Sequence, residues 1–494
     1  MLRELRGLAK ETAIYGLSTV LGRMLSFLLT PLFTHLLLPA ESGVVQTIYA
    51  FVGFLAVVYA MGLDVAYLRL GRKDGKPDDG AFTGALGTVA LLALTVSLML
   101  HVFAAPAAAA IGIPVEFASI VRYAAWILAL DAATLIPYTE LRGSHHAGTY
   151  AGIKLVNIAM TLILSWIFVR QMKLGVSGVF LANLVSSAAC LAMLAPVIIT
   201  RLAAPDPKQL RGLLAFGLPL AFAGIGSMVV QVADRPIMTR LVGGAAGLSM
   251  AGIYGSCYKL GIFMMLLVNM FDQAWKPFVL ERAEREGVDR LIARVLTYFA
   301  MLSCWAFLGI AFFVDLFVKS PIFAGHALFG PAYWSGLPIV PVVTLGYLFN
   351  GLYYVMLAPL MIDKRMTSVG VATWIGAAIN IGVNVLAIPR WGMMAAAWAT
   401  CAAYAAMVAA VWWLGRRTRS TPYEWKRLAM LAAWTALLWA PASHVGLFPR
   451  ILLALAYPVG LRLSGFLHDE ELAELKAMFS ARGSRSKPPA PAAS

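Results

Sequence analysis

Long apolar runs follow one another along almost the whole chain, and they constrain its fold more than any other feature. A helix needs roughly 20 residues to cross about 30 Å of hydrocarbon. Runs of that order fall at 12–37, 42–66, 80–104, 118–139, 151–169, 176–200, 213–240, 251–275, 291–316, 337–361, 367–388, 393–414, 428–446 and 449–466. The last is short, so the pattern predicts fourteen spans, or thirteen without it. Backbone inside a bilayer must satisfy its own polar groups, as helix or as closed barrel. Runs this long with little strict alternation read as helices. The connections are mostly short and leave no room for an inserted soluble domain.

Charge then assigns orientation. The chain is 61% hydrophobic yet carries a formal net charge of +15. A nucleic-acid binder with that charge would not be so apolar. With the N-terminus inside, 28 Lys and Arg residues fall in inner segments, and six (Arg170, Lys173, Arg240, Lys319, Arg390 and Arg450) fall in outer ones. That asymmetry is the positive-inside pattern. It predicts a multi-pass protein of the inner (cytoplasmic) membrane with both termini cytoplasmic. The first run is too long and too polar-flanked for a cleaved signal peptide. Cys190, Cys257, Cys304 and Cys401 lie inside runs without paired metal spacing, so they read as small packing residues and no metal site is expected. Residues 1–11 and 469–480 have the amphipathic pattern of interfacial helices, and the Ser/Pro/Ala/Arg-rich last dozen residues read as disordered.

The runs also repeat. Tyr15-Gly16-Leu17 and Pro31-Leu32 in the first run are echoed by Phe216-Gly217-Leu218 and Pro236-Ile237 in the seventh. Asn157 and Thr161 ahead of Gly175 are echoed by Asn380 and Asn384 ahead of Gly392. Two six-helix halves follow, 1–205 and 206–414, with an appended pair at 415–466 and a tail at 467–494. Six is even, so the halves share one orientation. Parallel repeats of this kind build transporters around a central cavity.

Several stretches carry a family likeness. They are Gly330-Pro331-Ala332-Tyr333 through Gly351-Leu352-Tyr353-Tyr354, then Lys364, then Asn380 and Asn384 followed by Ile388-Pro389, Gly392 and Ala399-Thr400. Phe216-Gly217-Leu218-Pro219, Ala233-Asp234-Arg235, Tyr258-Lys259-Leu260 and Ala274-Trp275-Lys276-Pro277-Phe278 add to it. Over about 10–414 the chain resembles polysaccharide-export (Wzx-type) flippases of the multidrug/oligosaccharidyl-lipid/polysaccharide exporter superfamily. Met393-Met394 departs from the small or β-branched pair usual there. The resemblance implies an all-α membrane protein of fourteen helices with two six-helix lobes around a cavity. It also implies movement of a polyprenyl-diphosphate-linked oligosaccharide from the inner to the outer leaflet by alternating access.

Charges inside the runs mark where such a cargo would be held, because an ionisable group in hydrocarbon is costly unless it faces a cavity or a partner. Arg23, Arg235 and Lys259 are expected to line a cationic cavity for the diphosphate, with Arg122 a further candidate near the outer end of its run. Asp131 and Asp234 are candidate ion carriers or charge partners. Asp234 and Arg235 are adjacent, about 100° apart on one helix, and so are expected to face different ways. Pro236 should kink that helix. Asn157, Asn380 and Asn384 read as interhelical hydrogen-bonding residues. Lys154 and Asp272 read as interfacial, while Asp64 (with Arg69 beyond it) and Asp315 read as helix-end pairs. His145-His146 reads as a solvated loop. No Walker, nucleophile-elbow or metalloprotease motif occurs, so neither enzymatic chemistry nor a cofactor is expected. A cation-coupled multidrug exporter of the same fold and a lipid II flippase are the alternatives. A glycosyltransferase would need a larger charged outer loop. The lipid bilayer is the surroundings, a polysaccharide polymerase is a candidate partner, and nucleic acid is not.

Overall fold

A computed structural model describes residues 27–73, 76–321, 325–441 and 445–466. Apart from a two-stranded hairpin, Arg72–Lys73 against Lys76–Pro77, these residues form helices and their connections. In chain order the helices are α1 Phe27–Leu36, α2 Pro39–Ala60, α3 Leu63–Leu70, α4 Asp79–Val102, α5 Ala104–Ala110, α6 Ala118–Gly143, α7 Ala147–Ser165, α8 Gly175–Arg201 and α9 Pro207–Val232. They continue as α10 Asp234–Val242, α11 Gly244–Tyr258, α12 Ile262–Leu280, α13 Val288–Lys319, α14 Ile339–Met356, α15 Ala358–Ile362, α16 Met366–Gly415, α17 Trp425–Trp439 and α18 Leu447–Leu463. Arg23 and both terminal amphipathic segments lie outside the described residues.

Local chemistry starts these helices where it should. Pro39 and Pro207 sit in the first turns of α2 and α9, where a missing N–H costs nothing. Asp78 caps α4 by accepting the Ala81 N–H at 2.9 Å, and Asp206 caps α9 through the Lys208 N–H at 2.9 Å. Ten helical stretches among the described residues are long and apolar enough to cross a membrane. The expected fourteen differs from that number at identifiable places. α16 holds two helices, which match the expected runs 367–388 and 393–414 and meet at Gly392, where the φ of 56° and ψ of −136° are not helical and suit glycine alone; taken as one stretch they count once among the ten. The described part of the first run is short, and α17 and α18 have 15 and 17 residues.

Apolar side chains also point outward. Leu91, Leu94, Leu98 and Val102 form an exposed stripe down α4 at helical spacing. In water such a face would aggregate; against lipid tails it costs nothing. The chain is an all-α membrane protein.

One buried apolar cluster runs through the C-terminal half, from Val230 to Phe466, and takes in Phe27 of α1. It includes the appended helices, which lie against α13. Phe307 and Trp439 pack edge to face at 5.4 Å, and the Tyr457 hydroxyl donates to the Met301 carbonyl at 3.0 Å. The N-terminal half has separate smaller clusters around Phe180, Phe82 and Leu194.

The halves meet along α2. At the cation-poor face α2 lies so close to α11 that a β-carbon on Gly43 or Gly252 would strike the other helix's backbone. The Ser42 and Ser256 hydroxyls face each other there at 3.5 Å. The Tyr333 hydroxyl donates to the Leu37 carbonyl at 3.0 Å, and the Gly330 N–H to the Thr34 hydroxyl at 3.3 Å. At the cation-rich face Gly62 abuts the Gly217 backbone, and Arg69 lies 5.0 Å over the Phe216 ring.

Candidate substrate cavities

The C-terminal cavity lies beside a point where one helical bond is missing. Pro236 has no N–H for the Val232 carbonyl, so the ladder is interrupted between α9 and α10, while Ala233 keeps helical dihedrals. The Asp234 carboxylate lies against its neighbour. Its Oδ1 accepts the Arg235 backbone N–H and the Arg235 Nη1, both at 2.9 Å, and its Oδ2 accepts the Tyr254 hydroxyl at 2.5 Å. This overturns the expectation that Asp234 and Arg235 face different ways, because the long Arg235 side chain reaches back to its neighbour's carboxylate across the 100° step. Arg235 also donates to the Gln231 carbonyl at 2.7 Å, and its guanidinium lies 4.5 Å over the Tyr258 ring. The pair is buried on all sides.

Below it opens a cavity of about 360 Å³. Ser227, Gln231, Asn269, Asn350 and Thr373 supply its amides and hydroxyls, and Tyr347, Tyr353, Tyr354 and Tyr404 supply its rings. Lys259 sits in a 3-10 turn, Lys259–Gly261, between α11 and α12, and neither it nor Arg235 is among the residues lining this cavity, as both were expected to be. It is half-buried, and no acid among the described residues pairs with it. Asp234 does not serve, since its oxygens are already taken.

Asn380 and Asn384 are fully buried on α16 and hydrogen-bond to each other at 3.0 Å. The Asn380 Nδ2 and the Asn384 Oδ1 have no further partner among the described residues. Asn157 donates to the Ser186 carbonyl of α8 at 3.0 Å.

The N-terminal half has its own cavity of about 300 Å³. Asp64, Asp131, Arg142 and Lys154 line it together with Tyr138, Tyr150 and Asn157. Lys154 lies 4.4 Å over the Tyr138 ring. It is therefore a cavity residue, which its reading as an interfacial residue did not anticipate. Asp64 likewise faces this cavity, while its expected partner Arg69 lies over Phe216. Asp315 does pair at a helix end, with Arg450 at 2.8 Å, and Asp272 pairs with Lys276 at 2.7 Å. Arg122 is exposed on α6 and lines neither cavity. His145 and His146 are exposed, and among the described residues no three His, Cys, Asp or Glu converge as metal ligands.

Sequence reasoning missed two groups. The tyrosines around Arg235 gave no signal beyond being polar-tipped residues in apolar runs. The Glu140 cluster was equally silent. That buried carboxylate accepts the Tyr67 hydroxyl at 2.7 Å and the Ser144 hydroxyl at 2.6 Å, and it lies 3.2 Å from Arg201. It ties α3, α6 and α8 together at the cation-rich face.

A model of the family described as polysaccharide biosynthesis protein matches residues 8–281. An uncharacterized membrane protein of Methanocaldococcus jannaschii is 22% identical over 448 residues, which is 82% of this chain and 85% of that protein. The lipid II flippase MurJ, solved in an inward closed conformation, superposes with a TM-score of 0.72 at 15% identity, covering 90% of this chain and 98% of that one. A multidrug resistance MATE family transporter of the MOP superfamily, solved inward-facing, superposes with a TM-score of 0.67 at 14% identity, covering 83% of this chain and 96% of that one. At these identities the likeness to solved structures is one of fold.

Proposed function

The chain belongs to the polysaccharide biosynthesis protein family, and from that premise we propose that it is a flippase. Its cargo is a polyprenyl-diphosphate-linked oligosaccharide, carried from the cytoplasmic to the outer leaflet of the inner membrane for cell-surface polysaccharide synthesis. The halves 1–205 and 206–414 rock about their shared seam and expose the cavities to one side and then the other. The sugar head occupies the polar cavities while the lipid tail stays in the bilayer. No covalent step is involved. The neighbours MurJ and the MATE transporter share the fold that such rocking needs.

The observation that carries this reading is the charge at Lys259. Among the described residues Asp234 and Arg235 cancel, so the local sum with Lys259 is one positive charge. A cation within an apolar membrane segment and without an acid beside it is retained where an anion comes to meet it. A diphosphate supplies that anion; a cationic drug would be repelled. The same point favours the flippase over a cation-coupled drug exporter.

The test is transport of a fluorescent polyprenyl-diphosphate oligosaccharide in proteoliposomes. Lys259→Ala should slow it by about tenfold, the worth of one charge-assisted hydrogen bond to phosphate, with the folded fraction unchanged. Lys259→Arg should restore part of the rate. Undiminished transport by Lys259→Ala would remove Lys259 from the site, and no transport by folded wild type would remove the flippase reading.

A further inference from the structure

Two of the six cations assigned to the cation-poor face, Lys319 and Arg450, line a single cavity. It measures about 720 Å³ and opens where the end of α13, the turn before α14, the end of α17 and the start of α18 converge. It shares no lining residue with the two cavities described above. Asp315 is the one acid in its lining, so the lining as a whole is positive.

The donors there are only partly used. Arg450 gives Nε to the Val445 carbonyl at 3.1 Å and Nη1 to the Phe312 carbonyl and the Asp315 carboxylate, both at 2.8 Å. Its Nη2 makes no hydrogen bond among the described residues. Lys319 is exposed, lies 5.5 Å over the Trp334 ring and has no acid partner among the described residues. Much of the remaining wall is apolar, with Leu337, Pro338, Pro341 and Trp439, and next to Arg450 the side chains of Leu447 and Phe448 are exposed. Tryptophans at this depth mark the membrane–water boundary. The cavity thus offers two cationic donors at one end of a greasy wall, at the level where lipid headgroups lie.

We propose that this cavity binds an anionic phospholipid of the cation-poor leaflet. The phosphodiester is held between Lys319 and the Arg450 Nη2, and the acyl chains run along the apolar wall. Because α17 and α18 meet α13 here, the lipid fastens the appended pair to the C-terminal half. The carrier lipid of the transport cycle bears phosphate too, but the site faces bulk lipid at the outer boundary, where phospholipid is always present.

Native mass spectrometry of the full-length, delipidated protein tests this with phosphatidylglycerol and phosphatidylethanolamine. Wild type should bind phosphatidylglycerol about fivefold more tightly than Lys319→Ala, as one surface cation facing an anionic lipid predicts. Lys319→Arg should bind as wild type does. Phosphatidylethanolamine, with no net charge, should not distinguish the three. Lys319→Met is a second removal of charge that keeps the stem, in case the alanine variant folds poorly. Equal phosphatidylglycerol binding by wild type and both uncharged variants overturns the proposal. So does retention of a polyprenyl diphosphate in preference to phosphatidylglycerol at this site, which would assign the cavity to the carrier.

Discussion

Replacing Gly252 by Ala would place a methyl carbon 2.7 Å from the Gly43 amide nitrogen and closer still to the Pro39 carbonyl oxygen. Ordinary contact for such a carbon begins near 3.4 Å, so the helices must part by at least about 0.7 Å. Both obstructing atoms are backbone of α2 and cannot rotate away. Overpacking a seam of this kind costs about 1–3 kcal/mol. Applied to the closed arrangement of the cation-poor face, that is a shift of about 5–150-fold toward states in which α2 and α11 have separated. Ser42 and Ser256 report on the separation directly, since their hydroxyls are 3.5 Å apart across the same seam. Ser42→Cys with Ser256→Cys, in a Cys257→Ser background, should cross-link readily in membranes under mild oxidation. Adding Gly252→Ala should slow the cross-link by fivefold or more. Transport in proteoliposomes should fall as well, because the proposed cycle requires this face to close again. A cross-linking rate and a transport rate both unchanged by Gly252→Ala would refute the idea that α2 and α11 part and close again as the halves rock.

Asp234→Ala removes three accepted hydrogen bonds and leaves Arg235 buried without its acid, a loss of about 3–5 kcal/mol. Thermal unfolding in detergent should show a large drop in midpoint, whereas Tyr254→Phe, which deletes one bond to that carboxylate, should cost about 1.5–3 kcal/mol. At the start of α4, the Ala81 N–H holds the Asp78 carboxyl below the ordinary carboxylate range. Its contribution is therefore complete above the unfolded value, near pH 4, and is lost as pH falls through the depressed folded value. Asp78→Ala should cost about 1 kcal/mol at neutral pH, and the gap to wild type should close in acid; a gap that stays constant with pH would show that the cap does not depend on charge.

What could be read from the chain, and what could not, divides by the kind of cost each residue carries. Arg235, Lys259, Asp131 and Lys154 stand out in apolar runs because a charge in hydrocarbon is costly wherever it points, so the composition of the run is enough to flag them. Their partners are harder. Lys154 reads as interfacial from its place near the start of its run, and nothing in the run shows the Tyr138 ring it lies over or the cavity the two share. The 100° step between Asp234 and Arg235 argued against a pair, but the long Arg235 side chain reaches back across that step, and such reach is not written in the spacing. Gly43 and Gly252 are two glycines among many, and Tyr254, Tyr258, Tyr347 and Tyr404 are unremarkable singly. A glycine matters here only because another backbone passes within contact of it, and a tyrosine only because a guanidinium or a carboxylate lies at its ring or hydroxyl. Those requirements belong to pairs of helices. They become visible when the helices are packed, which is why the charged centre of the site was legible along the chain and its tyrosine walls and glycine seam were legible only in three dimensions.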